Sequence, residues 1–504
     1  MAWVGPGRRR RPVSNPIATR VPTAATAALS PAAAARGGSA RTVTWTLVVA
    51  MTVWRATSLD RSLWWDEVYT AWAYVLRGPA TIRAAESYIA NNHLLFSWLS
   101  WATAQLFGHG EVALRLWAFL PGTAATVWAS VWLGRRHGWA LAATFAGILA
   151  LTPLHVLLTT EARGYGLVLL ASVGLLVAGT SACERGAPRD DLLLAAVALL
   201  GVATIPTFAL PTAVVGLVVL GHRRHAPARP VLLGIVAAGA GWWWYAPVRA
   251  PILAGVTGVG ARHGDAVGVL DPVLAPARLL AGATVTGVMD LLPASGVGPA
   301  LLHLLLVVGV VGGGLRLVRR DRVLGLLVLL VPPGTVAMMG LLGMHLLPRY
   351  LAALLPAVAI ALAVAVHDIA GALQRRWRRS APVLLTALLL ALAVANLPPL
   401  RAELQPRQDL AGVAELVASD PRAPVVLART EVAWSFYLRD HPTEVLEDEA
   451  MLAARLCDGQ APAWFLEPTV EPRPRPDCLV TAGAVRHTLP QRAGPGELTV
   501  WWLQ

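Results

Sequence analysis

Two adjacent carboxylates stand among aromatics in Trp64-Trp65-Asp66-Glu67-Val68-Tyr69. Burial in such a setting raises the pKa of at least one acid, which suits a general base drawing a proton from a hydroxyl. The competing reading is an interfacial loop whose acids face water while the Trp rings anchor a helix end. Asn91-Asn92-His93 follows. The asparagines suit a helix cap, and His93 suits a metal, a phosphate or a structural place. In Glu161-Ala162-Arg163-Gly164-Tyr165, the Arg163 guanidinium offers a planar fork for phosphate with Glu161 to hold it; the alternative is an ion pair at a helix junction. His345-Leu346-Leu347-Pro348-Arg349-Tyr350 again sets Arg beside Tyr, and Arg115 follows Glu111. If one face gathers these groups, the substrate they fit has an anionic head and a long lipid tail.

Composition says what scaffold must gather them. The chain has 504 residues, 56% of them hydrophobic and 14% charged. Its mean hydropathy is +0.57. Ordinary soluble proteins are about 45–50% apolar and about 25% charged. These values argue against a soluble enzyme and exclude a disordered or disulfide-rich secreted chain. A spanning helix needs about 20 mostly apolar residues. Eleven stretches are read as spans: 42–59, 115–134, 139–158, 165–182, 191–205, 207–221, 230–247, 297–318, 323–344, 350–367 and 381–399. Pro206 separates two short ones, and Pro211, Pro332 and Pro333 lie inside spans, where membrane helices tolerate them.

Residues 94–107 are apolar but number only 14, which suits a helix lying at the interface. If they lie flat, every arginine-rich segment falls on one side: the N-terminal tail, Arg135–Arg136, Cys183–Asp191, His222–Arg229, Arg316–Arg322 and Arg375–Arg379. With Asp368 counted in, that side holds 22 arginines and five acids. The positive-inside rule then makes it cytoplasmic. The net charge of +13 sets orientation in a plasma membrane, and its spread over separate loops argues against a nucleic-acid partner.

The expected architecture is an α-helical polytopic membrane protein. Residues 1–40 read as a disordered cytoplasmic tail and residues 41–400 as the membrane domain, with an outer loop over 60–114. The first span reads as an uncleaved anchor rather than a signal peptide. Residues 401–504 are charged, rich in Pro and broken into short apolar patches, which predicts a small extracytoplasmic α/β domain. Cys457 and Cys478 fall in it and read as either a disulfide or two free thiols. Cys183 reads as a small hydrophobe on the inner side.

At these motifs the sequence resembles the polytopic GT-C glycosyltransferases, specifically family thirty-nine, the bacterial relatives of protein O-mannosyltransferases. The resemblance rests on SLWWDEVYTAW, NNHLLFSWLSWATAQLFGHGEVALRLWAFLPG, RRHGWALAATFAGILALTPLHVLLTTEARGYGL and HLLPRYLAALLPAVAIALA, with Gln408-Asp409-Leu410 opening the C-terminal part. It implies a GT-C fold in which Asp66 is the general base and Glu67 its partner. It implies that Arg115, Glu161, Arg163, Tyr165, Arg349 and Tyr350 lie at the phosphate of a lipid donor. The implied donor is a polyprenyl-phosphate sugar, with mannose the commonest in the family. The implied acceptor is a hydroxyl on a protein, glycan or lipid of the cell envelope, and transfer inverts the anomeric carbon. Asn92, His93 and His345 are candidates for the acceptor or a metal, and a divalent cation is left open. The chain departs from many relatives at Asn91-Asn92-His93-Leu94-Leu95, where they carry an acid and His-Pro-Pro.

A transporter or flippase of lipid-linked saccharides is the alternative. It calls for polar residues along a membrane path or for internal repeats, and the sequence shows neither. A third reading is a scaffold whose C-terminal domain binds partners.

Overall fold

The computed structural model describes residues 31–84, 92–258, 297–344, 348–377, 381–420, 425–428, 436–439, 441–446, 451, 454–455, 463–467, 485–490 and 497–503. The long Leu, Val and Ala runs are helical. That is the form an apolar stretch takes in lipid, where each backbone polar group must pair within its own segment. The first helices are α1 (Pro31–Ala56), α2 (Trp65–Thr70), α3 (Pro79–Ile82), α4 (Leu94–Phe107) and α5 (Glu111–His137). Next come α6 (Trp139–Ala150), α7 (Pro153–Thr160), α8 (Tyr165–Glu184), α9 (Pro188–Thr204), α10 (Ala209–His222), α11 (Ala228–Trp244) and α12 (Arg249–Gly258). The last are α13 (Val297–Arg320), α14 (Arg322–Leu341), α15 (Leu355–Arg376), α16 (Ala381–Leu404) and α17 (Leu410–Ala418).

Among the described residues, five helices are long and apolar enough to cross a membrane, or seven if each bent pair counts as one. This is fewer than the eleven stretches read from sequence. The stretch 139–158 is a pair, α6 and α7, bent by 74° before Pro153. The helices over 191–205 and 207–221 have only 17 and 14 residues. Helix α1 begins at Pro31, inside the stretch read as a disordered tail. Helix α4 has 14 residues, about 21 Å at ~1.5 Å per residue, which is short of a bilayer core of about 30 Å.

Helix α5 gives the bundle its two ends, with Arg115 near its start and Arg136 near its finish, about 32 Å apart at ~1.5 Å per residue. Helices α5 and α8 approach closely at Gly166, where an added Cβ would lie 1.9 Å from the Ala118 carbonyl oxygen. At the Arg136 end, acids tie the arginine-rich turns together. Arg136 contacts Glu184 and Asp321, and Asp321 also caps α14 by accepting from the Leu324 N–H. Asp191 receives Arg223 and Arg229, and Asp368 receives Arg316 and Arg320. Cys183 is an unpaired thiol, half-buried against the bundle core.

The C-terminal part holds α17 and a five-stranded sheet. The strands are β1 (Val425–Ala428), β2 (Thr443–Val445), β3 (Ala463–Glu467), β4 (Val485–Pro490) and β5 (Glu497–Leu503), in the order β2-β1-β3-β5-β4. Strand β1 runs parallel to β2 and β3, while β5 runs antiparallel to β3 and β4. Val413 and Val417 of α17, Val426, Trp464 and Leu466 share one buried cluster with Leu63, Val68, Ala71, Phe96 and Leu114. Burying each such side chain contributes about 1.5–3 kcal/mol. The sheet therefore packs through α17 onto the segment that carries Asp66 and Glu67. Cys457, Cys478 and His345 lie outside the described residues.

Candidate active site

The chain leaves α1, turns, and re-enters helix at α2, which carries both acids in its first turn. The Trp64 N–H donates to Glu67 Oε2 at 3.2 Å, and the Trp64 carbonyl accepts from the Glu67 N–H. Successive residues on a helix point about 100° apart. Asp66 and Glu67 therefore face different surroundings.

Glu67 faces inward and is fully buried. Arg115 grips it twice, Nε to Oε1 at 2.9 Å and Nη2 to Oε2 at 2.8 Å, and the Ala162 N–H adds another bond. The remaining Arg115 donors reach the carbonyls of Leu59, Arg61 and Ser62. All five guanidinium N–H groups are thus used. Burial pushes the Glu67 carboxyl up, but the Arg115 charge and hydrogen bonds, helped by Arg61 and Ala162, hold it below its ordinary value. These contacts occupy Glu67 and Arg115 within the fold. Glu67 is a buried anion held by Arg115, and the five Arg115 N–H groups are all engaged by Glu67 and by backbone carbonyls.

Asp66 faces the other way and is partly exposed. Arg163 Nη1 lies 3.0 Å from its Oδ2, and Arg349 Nη1 donates to the same oxygen at 2.9 Å. Arg163 is buried in the turn between α7 and α8, whereas the Arg349 side chain is 38% exposed. Each guanidinium stands near a Tyr ring, Arg163 at 5.7 Å from Tyr165 and Arg349 at 5.9 Å from Tyr350. One carboxylate thus sits between two cations, and one of those cations is open to solvent.

Arg163 pairs with Asp66 and also lies close enough for its charge to act on Glu161. Glu161 is buried and pairs with Arg407 at 2.9 Å. Burial raises its carboxyl to about 7, with Arg407 opposing and the nearby Glu67 charge adding to the rise. Arg407 also lies over the Trp64 ring at 4.6 Å.

His93 is buried, and its Nδ1 accepts the Gly164 N–H at 2.8 Å. A Cβ on residue 164 would sit 2.8 Å from that nitrogen, so the turn admits only Gly without a shift. Burial first, then the charges of Arg163 and Arg349, push the imidazole well below its usual pKa. It is neutral, and the hydrogen bond assigns its proton to Nε2. Its ring meets Tyr165 edge to face at 4.8 Å. Asn92 does not cap α4. Its Nδ2 donates to the Ile82 carbonyl, and its Oδ1 accepts from Ser97.

A divalent cation does not fit this donor set. Glu67 accepts four N–H groups, Asp66 already faces two guanidinium groups, and the His93 Nδ1 lone pair is taken. Among the described residues no group of three His, Cys, Asp or Glu side chains is placed to hold a metal.

Sequence reasoning missed Arg61, Arg407 and Tyr437. Arg61 is buried and reaches Thr160 and the Glu403 carbonyl. Tyr437 accepts from the Leu63 N–H at 2.7 Å and donates to Glu111 at 3.0 Å. The one signal nearby is the run Gln408-Asp409-Leu410, directly after Arg407. A cavity of about 670 Å³ lies between α9, α10 and α11. Its walls are chiefly apolar and run from Asp191 to Tyr245 and Arg249. Tyr245 shares a buried cluster with Tyr74 and Leu94.

No family model matches the sequence, and no curated protein matches it. Solved structures do. The apo crystal structure of ArnT from Cupriavidus metallidurans superposes with a TM-score of 0.54 at 15% identity, covering 93% of this chain and 98% of that one. ArnT from the same organism bound to undecaprenyl phosphate gives 0.53 at 16% identity, covering 91% and 97%. The chain therefore has the polytopic GT-C fold seen in ArnT, and the likeness extends over almost its whole length.

Proposed function

We propose that the protein is a membrane glycosyltransferase that moves a sugar from a polyprenyl-phosphate carrier to an acceptor hydroxyl. The observation that carries this reading is Asp66 held between Arg163 and Arg349. The fold, shared with a protein crystallised with undecaprenyl phosphate, supports it. Asp66 takes the proton of the acceptor hydroxyl. The oxygen attacks the anomeric carbon from the face opposite the carrier phosphate, so a single displacement inverts the configuration. The departing phosphate oxygen gains negative charge, and Arg163 and Arg349 stabilise it. Arg349, the exposed partner, turns from Asp66 to the incoming phosphate, which leaves the carboxylate free to act as a base. The apolar cavity between α9, α10 and α11 suits a polyprenyl chain.

The resemblance to family thirty-nine favours mannose as the sugar, and a protein, glycan or lipid hydroxyl as acceptor. Residues 41–400 form the membrane domain, and residues 401–504 form a domain on the extracytoplasmic side together with the Asp66 cluster. The arginine-rich end faces the cytoplasm by the positive-inside rule.

The test is transfer by purified protein from polyprenyl-phosphate mannose, and from other polyprenyl-phosphate sugars, to envelope lipids, glycans and peptides. Asp66→Asn should lower turnover by about 10²–10⁴-fold with the fold intact. Wild-type turnover in that variant would sink the assignment. Carrier movement across vesicles without any transfer would favour the transporter instead.

A further inference from the structure

Helix α2 has six residues and runs on without a break into a π-helical turn over Ala71–Leu76, so the run of about three turns is short for a helix that must hold itself. Its first turn is met partly from within, the Trp64 N–H by the Glu67 side chain and the Glu67 N–H by the Trp64 carbonyl, while a side-chain oxygen at the N-cap usually takes a further N–H. Here the N-cap is Trp64, whose side chain carries no acceptor oxygen. The first helical N–H, that of Trp65, is met from 343 residues away: Gln408 Oε1 accepts it at 3.0 Å. Neighbouring groups reach the same strand of backbone. Tyr437 takes the Leu63 N–H, and Ser62 Oγ accepts from the Ala411 N–H at 3.0 Å. Arg61 reaches the Glu403 carbonyl, and Arg407 covers the Trp64 ring while pairing with Glu161. Every residue from Arg61 to Trp65 is thus held by the segment 403–411 or by Tyr437.

We propose that this strap, through Gln408 above all, is the positioning element of the site. It caps α2 from outside the helix and so fixes the direction in which Asp66 meets Arg163 and Arg349. Gln408 touches no reacting atom; it acts through the Trp65 backbone. The proposal rests on the glycosyltransferase reading for its catalytic consequence, but the hold on α2 can be tested without it. The strap runs from the last turn of α16 into the first turn of α17. Its distance along the chain is long, but its register against residues 61–65 is set by five contacts in a row.

The experiment uses the full-length protein in nanodiscs, with Gln408→Leu, which removes the acceptor at similar size, and Gln408→Glu, which keeps it. Hydrogen exchange is followed over residues 61–69, and turnover with polyprenyl-phosphate mannose is split into kcat and KM. In Gln408→Leu the exchange should rise about fivefold, the loss of one hydrogen bond. Its kcat should drop by roughly tenfold to a hundredfold, as for a displaced catalytic group, with donor KM little changed. Gln408→Glu should restore both. Unchanged exchange in a folded Gln408→Leu protein overturns the proposal. So does faster exchange with wild-type kcat. If wild-type protein transfers no sugar at all, the glycosyltransferase reading fails, and the exchange result still decides whether the strap holds α2. Tyr437→Phe, which keeps the ring, supplies a second measure through the Leu63 N–H should Gln408→Leu not fold.

Discussion

The two ends of the helix bundle hold the same kinds of side chain, arginine and carboxylate, and use them differently. At the Arg136 end most partners lie within about fifty residues, Arg185 with Asp190, Arg223 with Asp191 and Arg320 with Asp368, and Arg136 reaches across 185 residues to Asp321. Several of those arginines are about half exposed. At the Asp66 end the partners come from distant parts of the chain. Asp66 meets Arg349 across 283 residues, and Glu161 meets Arg407 across 246. Most of these groups are buried. At the Arg136 end Asp191 and Asp368 are each held by two arginines, so losing one exposed arginine costs roughly 0–1 kcal/mol. Buried pairs across the fold lose a great deal when one partner goes, because the other charge stays behind in a dry place. The difference separates arginines clustered at one end of the bundle from arginines that gather on Asp66, Glu67 and Glu161 at the other.

The sharpest way to break the comparison is Arg115→Met. It leaves the Glu67 carboxylate buried without its cation, and the expected loss is about 3–5 kcal/mol of stability. Thermal unfolding in detergent measures it; a melting temperature close to wild type would mean that Glu67 is not the anion the geometry makes it. Next comes Arg349→Gln, which removes the exposed cation beside Asp66. Turnover should fall by about 10²–10³-fold, the range for losing one electrostatic donor, with little change in unfolding temperature.

A smaller effect is expected from pH. Folded Glu161 titrates at about 7 against an ordinary value of 4.5. Between those values the folded protein holds a proton that the unfolded chain has released, so it binds more protons than the unfolded state. Stability relative to Glu161→Gln should therefore be highest below pH 4.5, fall as pH rises, and level off above about 7. Arg407 favours the ionised form, so Arg407→Gln should move the midpoint upward. A difference that stays flat with pH would place Glu161 in water rather than beside Arg407. Least of all should come from the other end. Arg320→Ala removes one half-exposed partner of Asp368, and unfolding should shift by no more than about 1 kcal/mol. A larger shift would blur the contrast between the two ends.

Much of the fold was legible because lipid imposes simple rules. Apolar length marks helices, and arginine placement marks one end of the bundle. The candidate site was legible only in part. Asp66, Arg163 and Arg349 were singled out and do converge. Glu67 and Arg115 stand out in the sequence too, and the fold pairs them with each other in a buried salt bridge. Tyr165 and Tyr350 lie beside the guanidinium groups, while Asn92 serves the backbone. Arg61, Arg407 and Tyr437 left no local pattern, because each acts on a segment far from its own in sequence.

By itself the sequence determined that this is a helical membrane chain with its arginines gathered by loop, and which short motifs carry polar chemistry. Those features depend on composition and on spacing within one segment. Only the tertiary structure decided which of two adjacent acids is open, what holds Glu161, and what caps α2. Neighbours on a helix point about 100° apart, and their roles depend on what other segments bring to each side.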